Sequence, residues 1–211
     1  MKQDKETKRR LLESAREEFM EKGYMKASLR NICRNAGVTT GALYFFFEDK
    51  EDLFQALTKE AVDGIYQIMQ SHFQEESEML GKGMLLEPVS QEEREHLDIT
   101  AMVVHQMYLR RDDILLVLTK SQGSSLENIV DSFIETAEIH FETMALKMQA
   151  AYPGKVLDEK FVHWLAHEMI DAFIYTISHI EDEQQAHKFM SQMTTYMMSG
   201  WYGLFSDQMS Q

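Results

Sequence analysis

Apolar residues recur every three or four positions along most of this chain, with charged residues between them. This spacing is typical of amphipathic helices, and the first such stretch covers residues 4–22, which Gly23 is expected to end. Its apolar positions are Leu11, Leu12, Ala15, Phe19 and Met20. The same pattern, with its caps and breaks, predicts further helices at about 29–35, 39–45, 48–80, 91–109, 112–120, 124–150, 158–180 and 184–206.

No segment alternates between apolar and polar residues as a half-buried strand does. The two strongest breaks are GKGMLLEP at 81–88 and AYPGK at 151–155, where glycine and proline favour loops. The pattern therefore predicts an all-α fold of about nine helices.

Composition excludes several classes of protein. The chain has 211 residues, 44% of them hydrophobic, which suits one large domain or two modest ones. Its single cysteine, Cys33, rules out an internal disulfide. The longest aliphatic run, Ile114–Leu118, is too short to cross a bilayer, and the basic N-terminus leads into LLESAREEF instead of a signal-peptide core. We expect a cytoplasmic protein with no membrane partner.

The net charge of −14 is unevenly distributed. Residues 1–50 hold 11 Lys or Arg and 8 Asp or Glu, giving +3, so the remaining residues carry −17. A basic N-terminal segment on an acidic body can meet phosphate locally, although such charges are more often simply solvated.

Residues 36–51, AGVTTGALYFFFEDKE, place a tight turn before a short helix that ends in four aromatic residues. Three short helices joined by such turns predict a helix-turn-helix unit, whose small recognition helix enters the major groove of DNA. Gly37 suits the turn, and Thr39 can cap the recognition helix and bind a phosphate. We expect some rings to close a small core against Leu11, Phe19 and Ile32, and Tyr44 to keep its hydroxyl at the surface.

The segment SLRNICRNAGVTTGALYFFFEDKEDLF, residues 28–54, resembles the DNA-binding domain of the tetracycline-repressor (TetR) family over about residues 5–55. The positions that carry the resemblance are Ser28, Ile32, Ala36, Gly37, Val38, Thr39, Gly41, Leu43, Tyr44, Phe46, Phe47, Lys50, Glu51 and Leu53. The resemblance implies a helix-turn-helix domain over 1–50 and a ligand-binding and dimerisation domain over 51–211. The fourth helix would link the two.

Three departures from the family pattern matter. Cys33 replaces an alanine, Thr40 stands where many members carry Lys or Arg, and Phe45 and Phe46 replace residues that are often polar. The recognition helix therefore offers few charged base readers, and its hydroxyl and methyl groups favour contacts with thymine methyl groups over bidentate guanine contacts.

The predicted DNA interface follows from the motif and its neighbours. Arg30 is expected to contact phosphate, while Arg9, Arg10 and Lys26 are as consistent with a solvated basic tail. The full predicted set is Ser28, Arg30, Thr39, Thr40, Gly41, Ala42, Tyr44, Phe45 and Lys50.

Methionine is unusually frequent, with 16 residues of which 13 follow position 60. Most are expected in the core, but methionine also suits surfaces that accept varied apolar partners. Because the resemblance implies a ligand cavity in the C-terminal domain, we predict a hydrophobic or amphipathic effector. Its expected lining is Met69, Met102, His105, Phe133, His140, Met144, His167, Glu168 and Phe173.

Two polar features have competing interpretations. His163, His167 and Asp171 share one helix face and could bind a metal or reach the ligand, but hydrogen bonding at an interface is the favoured explanation. Cys33 is interpreted as a buried core residue rather than a redox sensor. No metal or other cofactor is predicted.

The last two helices carry a wide apolar stripe in which Gly200 and Gly203 would let another backbone approach. Two such helix pairs can form a four-helix interface about a two-fold axis, which predicts a homodimer. The residues expected at that interface are Trp164, Met193, Met197, Gly200, Trp201 and Leu204. Packing within one chain is the alternative.

The sequence therefore predicts a homodimeric transcriptional regulator that is not an enzyme. It would most simply be a repressor released from a near-palindromic double-stranded DNA operator by a small molecule. The first alternative is a helical metal-dependent enzyme that uses histidine and carboxylate ligands, for which one Glu-x-x-His motif, Glu93 to His96, is present. The second is a DNA binder without an effector.

Overall fold

The computed structural model describes residues 2–81 and 92–205, which form helices and connecting turns without any strand. The helices are α1 (Lys2–Lys26), α2 (Leu29–Asn35), α3 (Thr40–Phe46), α4 (Lys50–Gly81), α5 (Glu92–Leu109), α6 (Arg111–Lys120), α7 (Ile129–Ala151), α8 (Glu159–His179) and α9 (Glu183–Phe205). The predicted all-α class and helix number are confirmed over these ranges. None of the helices described is both long and apolar enough to cross a membrane.

Two helix boundaries differ from the sequence prediction. The α1 helix continues past Gly23 to Lys26, but Gly23 has a non-helical φ of 75° and kinks it. Residues 124–128, predicted as the start of a helix, form turns instead, and α7 begins at Ile129. Gly123 has a φ of 84°, and both the amide and the hydroxyl of Ser124 donate to the Ser121 carbonyl, which tightens the chain into a turn. Residues 82–88 of the predicted loop lie outside the described residues.

The chain forms two compact units. The N-terminal unit comprises residues up to Gly64 together with Arg110–Ile129, and the C-terminal unit comprises Ile65–Leu109 and the residues from Val130 onward. These units do not coincide with a division after residue 50, because α6 and the first half of α4 pack with α1. The division into a DNA-binding domain over 1–50 and a ligand-binding and dimerisation domain over 51–211 stays a prediction.

The core of the N-terminal unit joins α1, α2, α3, α4 and α6. Phe54 of α4 meets Phe19 and Tyr24 edge-on, with ring centroids 5.1 Å apart in both pairs. Such aromatic pairs add to the stabilisation that burial gives. The other fully or nearly fully buried members of this core are Leu11, Ala15, Ile32, Cys33, Leu43, Phe47, Leu53, Leu57 and Leu116.

Glu18 is a buried carboxylate that joins α1 to the start of α2. It accepts hydrogen bonds from the backbone amide of Ser28 at 3.1 Å, from Asn31 Nδ2 at 3.3 Å and from Lys22 Nζ at 2.8 Å. Burial opposes its charge, but these donors together outweigh burial and lower the pKa of Glu18. The carboxylate therefore satisfies an amide at the start of α2 that the helix cannot satisfy itself.

Asp113 plays a similar part between α1, α4 and α6. Its buried carboxylate lies 2.8 Å from an Arg16 guanidinium nitrogen and 3.6 Å from one of Arg110. Arg110 also forms an ion pair with Glu60 of α4. Because removing one partner of a buried pair leaves an uncompensated charge, this network fixes α6 within the N-terminal unit.

The C-terminal unit is held by helix packing and a few interhelical hydrogen bonds. The α5 helix packs on α9, where the hydroxyls of Thr100 and Thr194 are 3.0 Å apart, and the Tyr108 hydroxyl donates to the Ile180 carbonyl at 2.6 Å. A second part of the core lies between α7, α8 and α9. Its buried members are Met144, Ala145, Met148, Val162, Trp201 and Phe205.

We predict that Glu18→Gln lowers the free energy of unfolding at neutral pH by about 1.5–3 kcal/mol, as expected for hydrogen bonds to a buried charge. The folded-state pKa of Glu18 lies below its ordinary value of 4.5. Its contribution is therefore complete above that value and is lost as the pH falls through the folded-state pKa. Urea unfolding of both proteins over a range of pH measures the difference.

The control for this change is Glu17→Gln, since Glu17 is the exposed neighbour on the same helix. It should leave the unfolding free energy nearly unchanged. A Glu18→Gln protein as stable as the wild type at pH 7, or a difference that does not shrink in acid, would contradict the assigned role of Glu18.

Candidate nucleic-acid interface

The turn between α2 and α3 is built as the sequence predicts. Ser28 caps α2, and Thr39 caps α3 by accepting a hydrogen bond from the Ala42 amide at 3.2 Å. Between the helices Gly37 takes a φ of 64°, a conformation that a side chain would strain. The Val38 amide donates to the Cys33 carbonyl at 2.9 Å, which closes the turn.

The α3 helix has one buried and one exposed face. Leu43 lies fully in the core, and Phe47 just beyond the helix is also buried. The exposed face carries Thr40, Gly41, Tyr44 and Phe45, at the spacing of one helix side. Tyr44 is 58% exposed and Phe45 is 75% exposed, so two large rings stand in solvent on the surface that would meet DNA.

The basic residues near this surface differ in whether an acidic side chain of the same protein pairs with them. Arg30 and Arg34 of α2, Arg10 of α1 and Lys26 are exposed. Arg9 instead forms ion pairs with Glu6 and Glu13 at 2.5 Å. Its charge is already matched within α1, which favours Arg30 over Arg9 as a phosphate ligand.

Lys50 has an internal role that sequence reasoning missed. Its Nζ donates to the carbonyls of Tyr24 at 2.8 Å and Met25 at 3.3 Å, and lies 4.4 Å from the centre of the Tyr24 ring. Lys50 therefore ties the end of α1 to the start of α4. The predicted phosphate contact of Lys50 stays a prediction, and it would compete with these bonds.

Glu51 completes the same corner of the N-terminal unit. Its carboxylate accepts hydrogen bonds from the Ser125 hydroxyl at 2.5 Å and from Gln55 at 3.2 Å, and it also bonds the Tyr24 hydroxyl. Burial opposes its charge, but these bonds outweigh burial and lower the pKa of Glu51. Burial and the neighbouring Glu51 raise the pKa of Tyr24 to about 12.

The residues predicted to line an effector cavity divide into two groups. Met69, Phe133, His140 and Met144 are buried in the C-terminal unit. His140 stacks on Phe73 with centroids 3.9 Å apart, and Tyr66 lies 4.5 Å from Phe133. Tyr66 and Phe73 were not among the predicted lining residues, although their spacing of seven residues places them on one face of α4.

The other predicted lining residues lie nearer the surface. His167, Glu168 and Phe173 are half-buried. Met102 is 57% exposed, and His105 is exposed with its Nδ1 2.7 Å from Glu183. Met102 and His105 thus face outward on α5 in the single chain, and their place in a ligand site stays a prediction.

The histidines of α8 contact each other. His163 Nδ1 lies 2.9 Å from a Glu138 carboxylate oxygen, and His163 Nε2 lies 3.2 Å from His167 Nε2. Asp171 is exposed one turn further on. Among the residues described, no group of three or more histidine, cysteine or acidic side chains has the geometry of a metal site.

The predicted dimerisation residues are not equally accessible. Trp164 is 48% exposed, Gly200 is exposed, and Met193, Met197 and Leu204 are half-buried. Trp201 is only 9% exposed and packs against Phe141 and Phe205 inside its own unit. Trp201 therefore packs mainly within its own unit, and its predicted place at a dimer interface stays a prediction.

Two short helices set across each other by a glycine turn, with the outer face of the second exposed, define a protein of the helix-turn-helix class. Residues 11–57 match the family model for the N-terminal domain of bacterial regulatory proteins of the tetR family. This match confirms the resemblance of the N-terminal residues to that family's DNA-binding domain, which was seen in the sequence.

Two curated relatives agree with this match. The HTH-type transcriptional repressor BepR of Brucella suis biovar 1 (strain 1330) is 46% identical over 52 residues, which are 25% of this chain and 25% of that protein. The fatty acid metabolism regulator protein of Bacillus subtilis (strain 168) is 24% identical over 178 residues, covering 80% of this chain and 88% of that protein. The alignment with BepR thus spans only a quarter of that repressor's own length.

A solved structure extends the likeness in fold to nearly the whole chain. The TetR family transcriptional regulator PfmR from Thermus thermophilus superposes with a TM-score of 0.58 and 16% identity, over 89% of this chain and 93% of that chain. At this identity the likeness concerns the fold alone.

We predict that Cys33 is unreactive in the folded protein. Its side chain is only 3% exposed, and burial raises the pKa of its thiol, so little reactive thiolate is present at neutral pH. A colorimetric disulfide reagent should modify it slowly in buffer and fully in urea, with a denaturant dependence that follows unfolding. Rapid stoichiometric modification of the native protein would instead support a redox-sensing role.

Proposed function

We propose that this protein is a transcriptional regulator, most simply a repressor, that binds double-stranded operator DNA through α2 and α3. The observation that carries the proposal is the exposed face of α3, with its rings and hydroxyls standing in solvent beside the exposed arginines of α2. On a monomer with no partner these apolar groups would have little reason to face water.

Different groups on this surface are suited to the phosphates and to the bases of DNA. The hydroxyls of Thr39 and Tyr44 and the guanidinium of Arg30 are suited to phosphate oxygens. The exposed α3 residues can then meet base edges in the major groove. A homodimer would present two such surfaces to half-sites about one helical turn apart, roughly 34–36 Å or a multiple.

We also propose that a hydrophobic or amphipathic small molecule controls DNA binding through the C-terminal unit. The interior of this unit is rich in methionine and aromatic side chains, which adapt to apolar ligands. The buried Trp201 Nε1–H has no hydrogen-bond partner among the described residues, so it could donate to a ligand acceptor. The name of the B. subtilis relative, a fatty acid metabolism regulator, makes fatty acids a sensible first probe.

The two alternative functions, a metal-dependent enzyme and a DNA binder without an effector, can be tested separately. A metal-dependent enzyme would need histidine and carboxylate ligands, and the contacts between Glu138, His163 and His167 are the observation that favours testing it. Elemental analysis showing a stoichiometric metal at two ions per chain would support the enzyme. A DNA binder without an effector would bind its operator identically in the presence of any lipophilic compound.

We predict that Arg30→Gln weakens operator binding and reduces its salt dependence. Fluorescence anisotropy with DNA from the region upstream of the protein's own gene, at several salt concentrations, measures both. Losing one phosphate contact should lower the slope of log affinity against log salt by roughly 0.9. Lys188→Gln is the control, since it removes the same charge from an exposed position on α9.

An unchanged slope for Arg30→Gln would remove Arg30 from the interface. Wild-type protein that binds this DNA no better than a scrambled duplex, together with failure to select any preferred duplex from a random pool, would refute the proposed function.

We predict that medium- or long-chain fatty acids raise the thermal midpoint of the protein and release it from the operator. A ligand that binds the folded state alone stabilises it by mass action, and it can act on DNA binding only if it prefers one of two conformations. A broad panel of lipophilic acids, amines and neutral compounds that gives neither shift nor release would favour the effector-free DNA binder.

A further inference from the structure

Gly41 has no explanation in the fold of the free protein. Its backbone does not take the positive φ that favours glycine. A Cβ built at this position would meet only the Thr39 hydroxyl, at an ordinary contact distance of 3.8 Å. Glycine is a poor helix former, yet Gly41 lies inside the first turn of α3 where alanine would fit.

The surroundings of Gly41 make a small notch on the exposed face of α3. Thr40 precedes it, and Phe45 lies one turn further along the same side. Helical side chains lean toward the N-terminus, which inclines the Phe45 side chain toward the turn that contains Gly41. No side-chain atom of Phe45 comes within 4 Å of the built Cβ, so the Phe45 ring does not fill the space beside Gly41.

The walls of the notch are apolar and weakly polar, without any charge. The α3 sequence TGALYFF contains no Lys, Arg, Asp or Glu. Phe45 is 75% exposed, and the ring contact it makes in this face is an edge-on one with Phe46 at 4.9 Å. Such a surface cannot read guanine by a bidentate bond, but it can bury a methyl group.

We propose that the notch formed by Gly41, Thr40 and Phe45 receives the 5-methyl group of a thymine in each operator half-site. The proposal rests on the proposed function, because it requires α3 to lie in the major groove. The missing side chain of Gly41 lets the base edge approach the helix backbone. The Phe45 ring then covers the methyl group and loses its own exposure to water.

The experiment uses the full-length protein and the operator identified by selection from a random pool. Each thymine of one half-site is replaced in turn by deoxyuridine, which lacks only the 5-methyl group. One position should weaken wild-type binding about threefold to tenfold, as expected for a buried methyl group. At that position Phe45→Ala should bind thymine and deoxyuridine duplexes equally.

Gly41→Ala separates a role in DNA contact from a role in the fold. Its urea midpoint should equal or exceed that of the wild type, because alanine is the better helix former and has room. Its operator affinity should nevertheless fall at least tenfold. Leu146→Ala, which trims another exposed apolar side chain in the C-terminal unit, is the control and should leave the methyl preference unchanged.

The possible results distinguish the two proposals. A wild-type protein that selects no DNA refutes the proposed function and this inference with it. A protein that binds its operator but senses no thymine methyl group, or a Phe45→Ala protein that keeps the wild-type preference, refutes only the inference. A Gly41→Ala protein that binds normally shows that the notch is not occupied.

Discussion

The placement of the helix-turn-helix depends on the buried carboxylate of Glu18. This one side chain satisfies the first amide of the α2 region and bonds Asn31 in the first turn of α2, while Lys22 of its own helix balances its charge. Ser14 adds a second link, since its buried hydroxyl donates to the Ile32 carbonyl at 3.0 Å. Both contacts are polar and directional, so they fix the position of α2 on α1 more narrowly than apolar packing would. The α3 helix follows α2 through a closed turn and takes its orientation from it.

The corner around Tyr24 extends this rigidity to α4. Lys50 binds two carbonyls at the end of α1, and Glu51 joins Tyr24 to Ser125 beyond α6. Asp113 and its arginines hold α6 within the same unit. Charged or polar groups thus join α1 to α2, to α4 and to α6. Because a unit of this size buries a smaller fraction of its surface than a large domain does, such links make a larger relative contribution to its stability.

Local chemistry in the sequence was enough to predict the caps, the turn and the helix number. Ser28, Thr39 and Gly37 act within a few residues, so their roles do not depend on the rest of the fold. The local pattern did not show the contacts that distant segments of the chain provide. Lys50 and Asp113 are exposed or buried according to partners more than twenty residues away, and the pattern along one helix cannot show them. The burial of Trp201 within its own unit could not be predicted for the same reason, since a wide apolar stripe on α9 does not reveal which part faces that unit.

The charge distribution explains why a neutral recognition helix can still serve a DNA-binding protein. Residues after position 50 carry −17, so most of the molecule repels a duplex, and productive encounters favour the N-terminal unit. The exposed arginines of α2 can supply attraction to phosphate independently of sequence. The α3 helix therefore does not have to supply this electrostatic attraction itself. Its hydroxyls, its glycine and its exposed rings can discriminate by shape and by methyl groups, where a lysine or arginine would add affinity for every duplex alike.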